Sequence, residues 1–249
     1  MFFTTETVSF IKLKSVVGTK GNEKITIVVA SSKTAEEKRD YINMLGETVG
    51  YPADIVFIGS NKESLTNVYQ KELDQSENEI IIFVHDDVEF LTTDWGKRIV
   101  ELFKQNPQFG IIGVAGSRTY GNKEQIGWWM CDDKEKRGLL FHGDSEKSWI
   151  TFFSEYTDKL MEVAVIDGVF MAVNREKLEY DFDTDIQGFH FYDIDFCVAN
   201  FLSRRCRIGV TNKVCLRHKS PGRPNGEWLK NGFFVREKYK DKFPIKVFR

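Results

Sequence analysis

A chain of 249 residues, 41% hydrophobic and 29% charged, has the composition of an ordinary soluble globular protein and can bury a sizeable core. Its formal net charge of -2 argues against a dedicated nucleic-acid binder. No stretch approaches the roughly 20 apolar residues that span a bilayer. The start, Met1-Phe2-Phe3-Thr4-Thr5-Glu6, lacks the basic flank and apolar core of a signal peptide, so a cytoplasmic location is expected.

The first 24 residues are weakly patterned, with Gly18 and Gly21 marking a turn. Residues 25–30 read as a strand ending in Ser31-Ser32, and the polar residues 34–45 as a helix. A second strand over 54–58 stops at Gly59-Ser60-Asn61, and a helix over 63–73 follows, with Leu65, Val68, Tyr69 and Glu72 near helical spacing. Ile80-Ile81-Ile82-Phe83-Val84 is an all-apolar run, suited to a central strand covered on both faces. Residues 94–105 form an amphipathic helix, with Asp94 as a plausible N-cap and Trp95, Ile99, Leu102 and Phe103 on one face; 110–115 is a strand. This alternation predicts βαβ units and a mainly parallel sheet.

The pattern changes after residue 115. Residues 116–156, rich in Gly, Lys, Asp and aromatics, read as an excursion with an acceptor or lid role, with strand-like pieces at 127–130 and 139–141. Residues 161–173 are apolar around Asp167-Gly168, 192–203 have helical spacing, and 208–216 read as one strand leading to His218. No internal repeat or low-complexity linker divides the chain, so one α/β domain over 1–249 is expected: 25–115 binding nucleotide, 116–220 acceptor and catalysis, 221–249 a C-terminal extension. Residues 230–249 carry seven Lys or Arg against Glu237 and Asp241, a solvated face or a patch for anionic head groups or phosphates. Cys131, Cys197, Cys206 and Cys215 are scattered and read as reduced structural thiols.

Common motifs are absent. No G-x-G-x-x-G follows the first strand, and G-x-S-x-G and H-E-x-x-H do not occur. Gly116-Ser117-Arg118-Thr119-Tyr120-Gly121 imitates a P-loop, but Asn122-Lys123-Glu124 misplaces its lysine and hydroxyl.

Four pieces remain. Ala30, Ser31 and Ser32 end the first strand with small groups that let a ring or ribose approach, or simply form a strand-to-helix turn. His85-Asp86-Asp87 follows the buried run, where open α/β sheets bind ligands. Adjacent carboxylates there repel unless a cation intervenes, and a hard divalent metal is the simplest one; a capped turn is the alternative. Asp167-Gly168 implies a close backbone approach lining a pocket, or a hairpin turn. Asp193 and Asp195 bracket a helix start among aromatics, where an ionised Asp can take a proton from a hydroxyl or merely cap the helix. His218 is a possible metal or phosphate ligand, and Trp128, Trp129 and Trp149 are possible acceptor-stacking faces or core residues.

In order over about residues 25–220, the first strand with Ser31-Ser32, Val84-His85-Asp86-Asp87, Ile166-Asp167-Gly168-Val169-Phe170-Met171, Phe191-Tyr192-Asp193-Ile194-Asp195 and His218 resemble the GT-A fold nucleotide-sugar glycosyltransferases, closest to the family-2-type bacterial enzymes. The resemblance implies a GT-A-like, Rossmann-like fold with a central mixed sheet flanked by helices. It implies a nucleoside-diphosphate-sugar donor, probably UDP-linked, with Mn2+ or Mg2+ on the diphosphate. Asp87 would be the principal metal ligand, with Asp86 or His85 beside it and His218 as a further ligand. Asp193 would be the base for the acceptor hydroxyl, and inversion would follow. Ser31, Ser60 and Asn61 would lie near the nucleoside, and Asp167 and Gly168 near the sugar. The acceptor, a carbohydrate, lipid-linked sugar or protein, is open. Two positions depart from the pattern: His85 stands where the first acid of Asp-x-Asp is expected, and Tyr192 where a Glu often precedes the catalytic Asp. His beside a carboxylate suits manganese better than magnesium. The rival readings are a non-catalytic UDP-sugar-binding protein on the same scaffold and a metal-dependent nucleotidyltransferase, whose Gly-rich basic loop is missing from residues 29–33.

Overall fold

The computed structural model describes residues 9–14, 23–122, 125–144, 146–220, 222 and 224–248. Gly18 and Gly21, expected to turn, lie outside them. Residues 25–115 alternate as expected, with one short unpredicted strand, β5: β2 (Ile25–Ala30), α1 (Arg39–Thr48), β3 (Ala53–Gly59), α2 (Leu65–Gln75), β4 (Ile80–Val84), β5 (Val88–Phe90), α3 (Trp95–Gln105) and β6 (Phe109–Gly113). An additional strand, β1 (Ser9–Lys14), precedes them and pairs antiparallel with β3.

The second half builds β7 (Ala115–Ser117), β8 (Thr119–Tyr120), β9 (Lys136–Gly143), β10 (Ser148–Phe152), β11 (Met161–Val163), β12 (Val165–Ile166), β13 (Phe170–Asn174), α4 (Tyr192–Ser203), β14 (Arg207–Val210), β15 (Leu216–His218), α5 (Gly226–Lys238) and β16 (Ile245–Lys246). The main sheet has the order β1-β3-β2-β4-β13-β6-β14-β11. β3, β2, β4, β6 and β14 point one way, while β13 runs antiparallel between β4 and β6. The sheet is therefore mixed.

Both faces of this sheet are covered, which is why β4 is apolar throughout rather than alternating. Ile27, Val29, Ile82 and Val84 pack with Ile42 and Leu45 of α1 and Trp95, Ile99 and Phe103 of α3. Val28, Ile81 and Phe83 pack on the other face with Val68 and Tyr69 of α2 and Ile194 and Val198 of α4. Each such fully buried side chain contributes roughly 1.5–3 kcal/mol.

Several local expectations are corrected. The helix expected at 34–45 starts at Arg39 because residues 34–37 form a turn of their own, with Thr34 N–H donating to Glu37 Oε2 (2.8 Å) and Glu37 N–H to Thr34 Oγ1 (3.2 Å). Asp94 makes no side-chain cap bond, since its left-handed backbone (φ 57) is not the extended one an N-cap needs. Residues 127–130 form a turn, not a strand. The run 208–216 breaks at Thr211-Asn212-Lys213 and supplies β14 to the main sheet and β15 to a second one, ordered β12-β7-β9-β15-β5 with β10 on β9.

Strand pairing positions the site. Because Phe170 pairs with Val84, the turn before β13 lies beside the end of β4, and His85 N–H donates to Val169 O (3.2 Å). Because His218 pairs with Val88, the end of β15 lies beside Asp87, and Lys219 N–H donates to Asp87 O (3.1 Å).

Candidate functional site

The two carboxylates after β4 part company. Asp86, expected as a metal ligand, turns away from the His residues: Ser31 Oγ donates to its Oδ2, Lys38 Nζ stands 3.4 Å from the same oxygen and donates to Asp86 O at 2.7 Å. Its charge is thus already balanced by a lysine. Asp87 turns the other way. Its Oδ1 is sealed from solvent and finds no well-aligned hydrogen-bond donor among the described residues, while His218 Nε2 stands 3.3 Å off in an ion-pair contact. His85, Asp87 and His218 each offer a ligand atom, and these atoms all lie within 4.8 Å of one another. A buried carboxylate oxygen with no well-aligned donor among the described residues, set among two imidazoles, fits a divalent cation of borderline character.

The electrostatics agree. Burial would raise Asp87, but the His218 imidazole beside it outweighs that and holds the carboxyl well below the usual carboxylate range. Burial likewise disfavours charge on His218, yet Asp87 prevails and raises it above the ordinary histidine value. In the metal-free protein the His218 proton thus does the work of a cation. His85 is lowered, by burial first and then by His218.

A second group hangs from Gly168. Gly168 N–H donates to Asp193 Oδ2 (2.7 Å), and Ile194 N–H donates to Asp193 Oδ1 (2.9 Å). Gly168 O accepts from Tyr192 Oη (3.0 Å), which also lies 2.8 Å from His85 Nε2. Burial, then the charge of Asp167, push the Asp193 carboxyl up to about 7. Asp167 itself accepts from Trp128 Nε1 (2.9 Å) and from Val169 N–H (2.9 Å). A side chain at Gly168 would overlap Tyr192 Oη and crowd Asp193 Cβ, so Gly168→Ala is expected to cost about 1–3 kcal/mol, read as a lower midpoint in urea unfolding.

Other expected residues fall nearby with varied roles. The turns after β2 and β3 are zipped together by Ser31 N–H to Ile58 O (2.9 Å), Ser60 N–H to Lys33 O (2.9 Å) and Asn61 N–H to Ser31 O (2.8 Å). Asn61 commits its side chain to the backbone of Glu63. Ala30 is half-buried and Ser32 exposed. Asp195 is 1% exposed and paired with Lys238 (2.8 Å), a structural role. Trp128 is 3% exposed and holds Asp167, so it presents no free face, whereas Trp129 and Trp149 are exposed and Trp149 stacks on His142 (5.1 Å, 14°). Sequence reasoning missed Lys38 and Tyr41, whose Oη donates to His85 O (2.6 Å). Neither carries a spacing signal. The four cysteines are free.

A mixed sheet with β13 running antiparallel between β4 and β6 has the GT-A fold. Solved GT-A enzymes share it: GalNAc-T7 with UDP, GalNAc and Mn2+ (TM-score 0.52, 10% identity, 89% of this chain and 50% of that one) and the mannosyltransferase PcManGT from Pyrobaculum calidifontis in complex with GDP-Man and Mn2+ (TM-score 0.51, 11% identity, 88% and 65%). The chain therefore spans half of the first and under two thirds of the second. A model of the glycosyltransferase-like family matches residues 25–228, and the chain belongs to that family. No curated protein matches it.

Proposed function

We propose that this chain transfers a sugar from a nucleoside-diphosphate donor, UDP-linked, to an acceptor hydroxyl, with inversion at the anomeric carbon. The observation that carries the reading is the grouping of His85, Asp87 and His218 around a buried carboxylate oxygen with no well-aligned donor among the described residues, with Asp193 held nearby by Gly168 N–H. Asp87, His85 and His218 would hold a divalent cation, manganese in preference to magnesium for two imidazoles. When bound, that cation supplies Lewis-acid neutralisation of the leaving diphosphate. Asp193 accepts the proton of the acceptor hydroxyl, and its raised carboxyl suits base chemistry near neutral pH. The turns at Ser31–Lys33 and Ser60-Asn61 offer the nucleoside a fixed rim, and Asp167-Gly168 lines the sugar side. Both structural neighbours were solved with Mn2+, one with a sugar nucleotide, which supports the donor class.

Exposed Trp129 and Trp149 would stack on an acceptor sugar, Trp149 through the face turned away from His142. Of the basic residues 230–249, Lys238 and Lys240 are spent in ion pairs and Arg249 lies outside the described residues. Lys230 beside exposed Leu229, Phe233 and Phe234 on α5 supports a peripheral membrane contact and hence a lipid-linked acceptor. Among the described residues no helix is long and apolar enough to cross a membrane. The test is release of nucleotide from a panel of UDP- and GDP-sugars with Mn2+, with and without acceptor candidates. Turnover of a UDP-sugar is expected. Binding of UDP with no turnover on any acceptor would instead mark a binding protein.

A further inference from the structure

Tyr192 occupies the position where the family resemblance leads one to expect Glu, and its hydroxyl sits between two partners. It is 3% exposed, and its ring is held edge-on against Tyr69 at 5.3 Å, so the Oη position is set by packing. That oxygen lies 3.0 Å from Gly168 O and 2.8 Å from His85 Nε2. A hydroxyl carries one proton, and a carbonyl oxygen only accepts. The proton of Tyr192 therefore goes to Gly168 O. Were it turned to His85 instead, two lone-pair-bearing oxygens would face each other at 3.0 Å in a buried pocket, with the carbonyl left unbonded. With its proton committed, Oη can only accept from His85, so Nε2 carries the hydrogen. In a neutral imidazole the lone pair is then on Nδ1.

We infer that Tyr192 is a positioning residue: it fixes the Nε2–H tautomer of His85 and so presents Nδ1 as the ligand atom, and through Gly168 it ties this metal ligand to Asp193. The inference rests on the reading of His85, Asp87 and His218 as a cation site. Ligating histidines commonly donate their other ring N–H to an acceptor that sets ring orientation. A phenol does this without adding a charge beside Asp167 and Asp193, where a carboxylate would repel both. Gly168 is the joint, since its N–H is bonded to Asp193 and its carbonyl to Tyr192. A shift at the cation site thus moves the base.

The experiment uses Tyr192→Phe, which keeps the ring and removes one atom. Two readouts are taken: nitrogen NMR of the imidazoles in the metal-free protein, with His85 assigned through His85→Gln, and calorimetric titration with Mn2+ alone. The wild type is expected to show His85 as the Nε2–H tautomer. The variant is expected to show a tautomer mixture and Mn2+ affinity about 10- to 100-fold weaker. A purely structural Tyr192 would lower the unfolding midpoint and leave tautomer and relative affinity unchanged, which overturns the inference, as does an Nδ1–H tautomer in the wild type. Absence of Mn2+ binding by the wild type would defeat the cation reading instead, and the tautomer would still decide the role of Tyr192.

Discussion

Asp193→Asn is expected to lower turnover about 10²- to 10⁴-fold while donor affinity stays near the wild-type value. Asp193 lies outside the group of His85, Asp87 and His218 and is held by the N–H groups of Gly168 and Ile194, so the substitution removes a proton acceptor rather than a donor contact. The pH profile gives the sign. Burial, reinforced by Asp167, raises the carboxyl to about 7. Below that value the group is protonated and cannot accept, so turnover should rise about tenfold per pH unit and level off above it. The same raised carboxyl favours the fold when protonated. Its contribution to stability is lost as the pH climbs from the ordinary carboxylate range to about 7, a loss that Asp193→Asn should abolish. Turnover retained by the variant would remove Asp193 as the base. The check is steady-state kinetics from pH 5 to 9 beside denaturant midpoints.

Asp87→Ala is the second large effect. It removes the one carboxylate of the three-residue group and leaves His218 without its partner. Loss of several kcal/mol of charge stabilisation corresponds to a fall in turnover of about 10³-fold. The fold should survive, because His218, freed from Asp87, is expected to lose its proton at neutral pH rather than remain as a buried cation. Mn2+ titration of UDP release checks this: the variant should need far more metal or show no response. The companion Asp86→Ala should be milder, since Asp86 is engaged by Lys38 and Ser31. Equal losses in the two variants would contradict the division of labour between them.

Much of this was readable from residue order. β4 and α4 have the bounds their patterns predict, because a five-residue apolar run covered on both faces and a helical apolar spacing leave little freedom. The cluster His85-Asp86-Asp87 and the distant Asp193 and His218 could be found as donors after buried elements. Which carboxylate serves which purpose could not. It depends on Lys38, an ordinary lysine in a turn, and on the break at Thr211-Asn212-Lys213 that sends the chain from β14 to β15. Those turn-forming residues were a signal, but the apolar stretches on either side hid it. Tyr192 looked like a defect in the pattern. Its hydroxyl acquires a role only through the antiparallel insertion of β13, which brings Gly168 to His85. For Trp128 the sequence leaves a stacking face and a core residue both open; the fold makes it a buried donor to Asp167.

His85, Asp87 and His218 are proposed to form a cation site for a nucleoside diphosphate. Calorimetric titration of UDP into the wild-type protein, with Mn2+ and again with EDTA, tests it most directly. Binding should be strong with the metal, weak or absent with EDTA, and lost with the metal in Asp87→Ala. Equal UDP affinity with and without Mn2+, or full metal-dependent binding by Asp87→Ala, would contradict it.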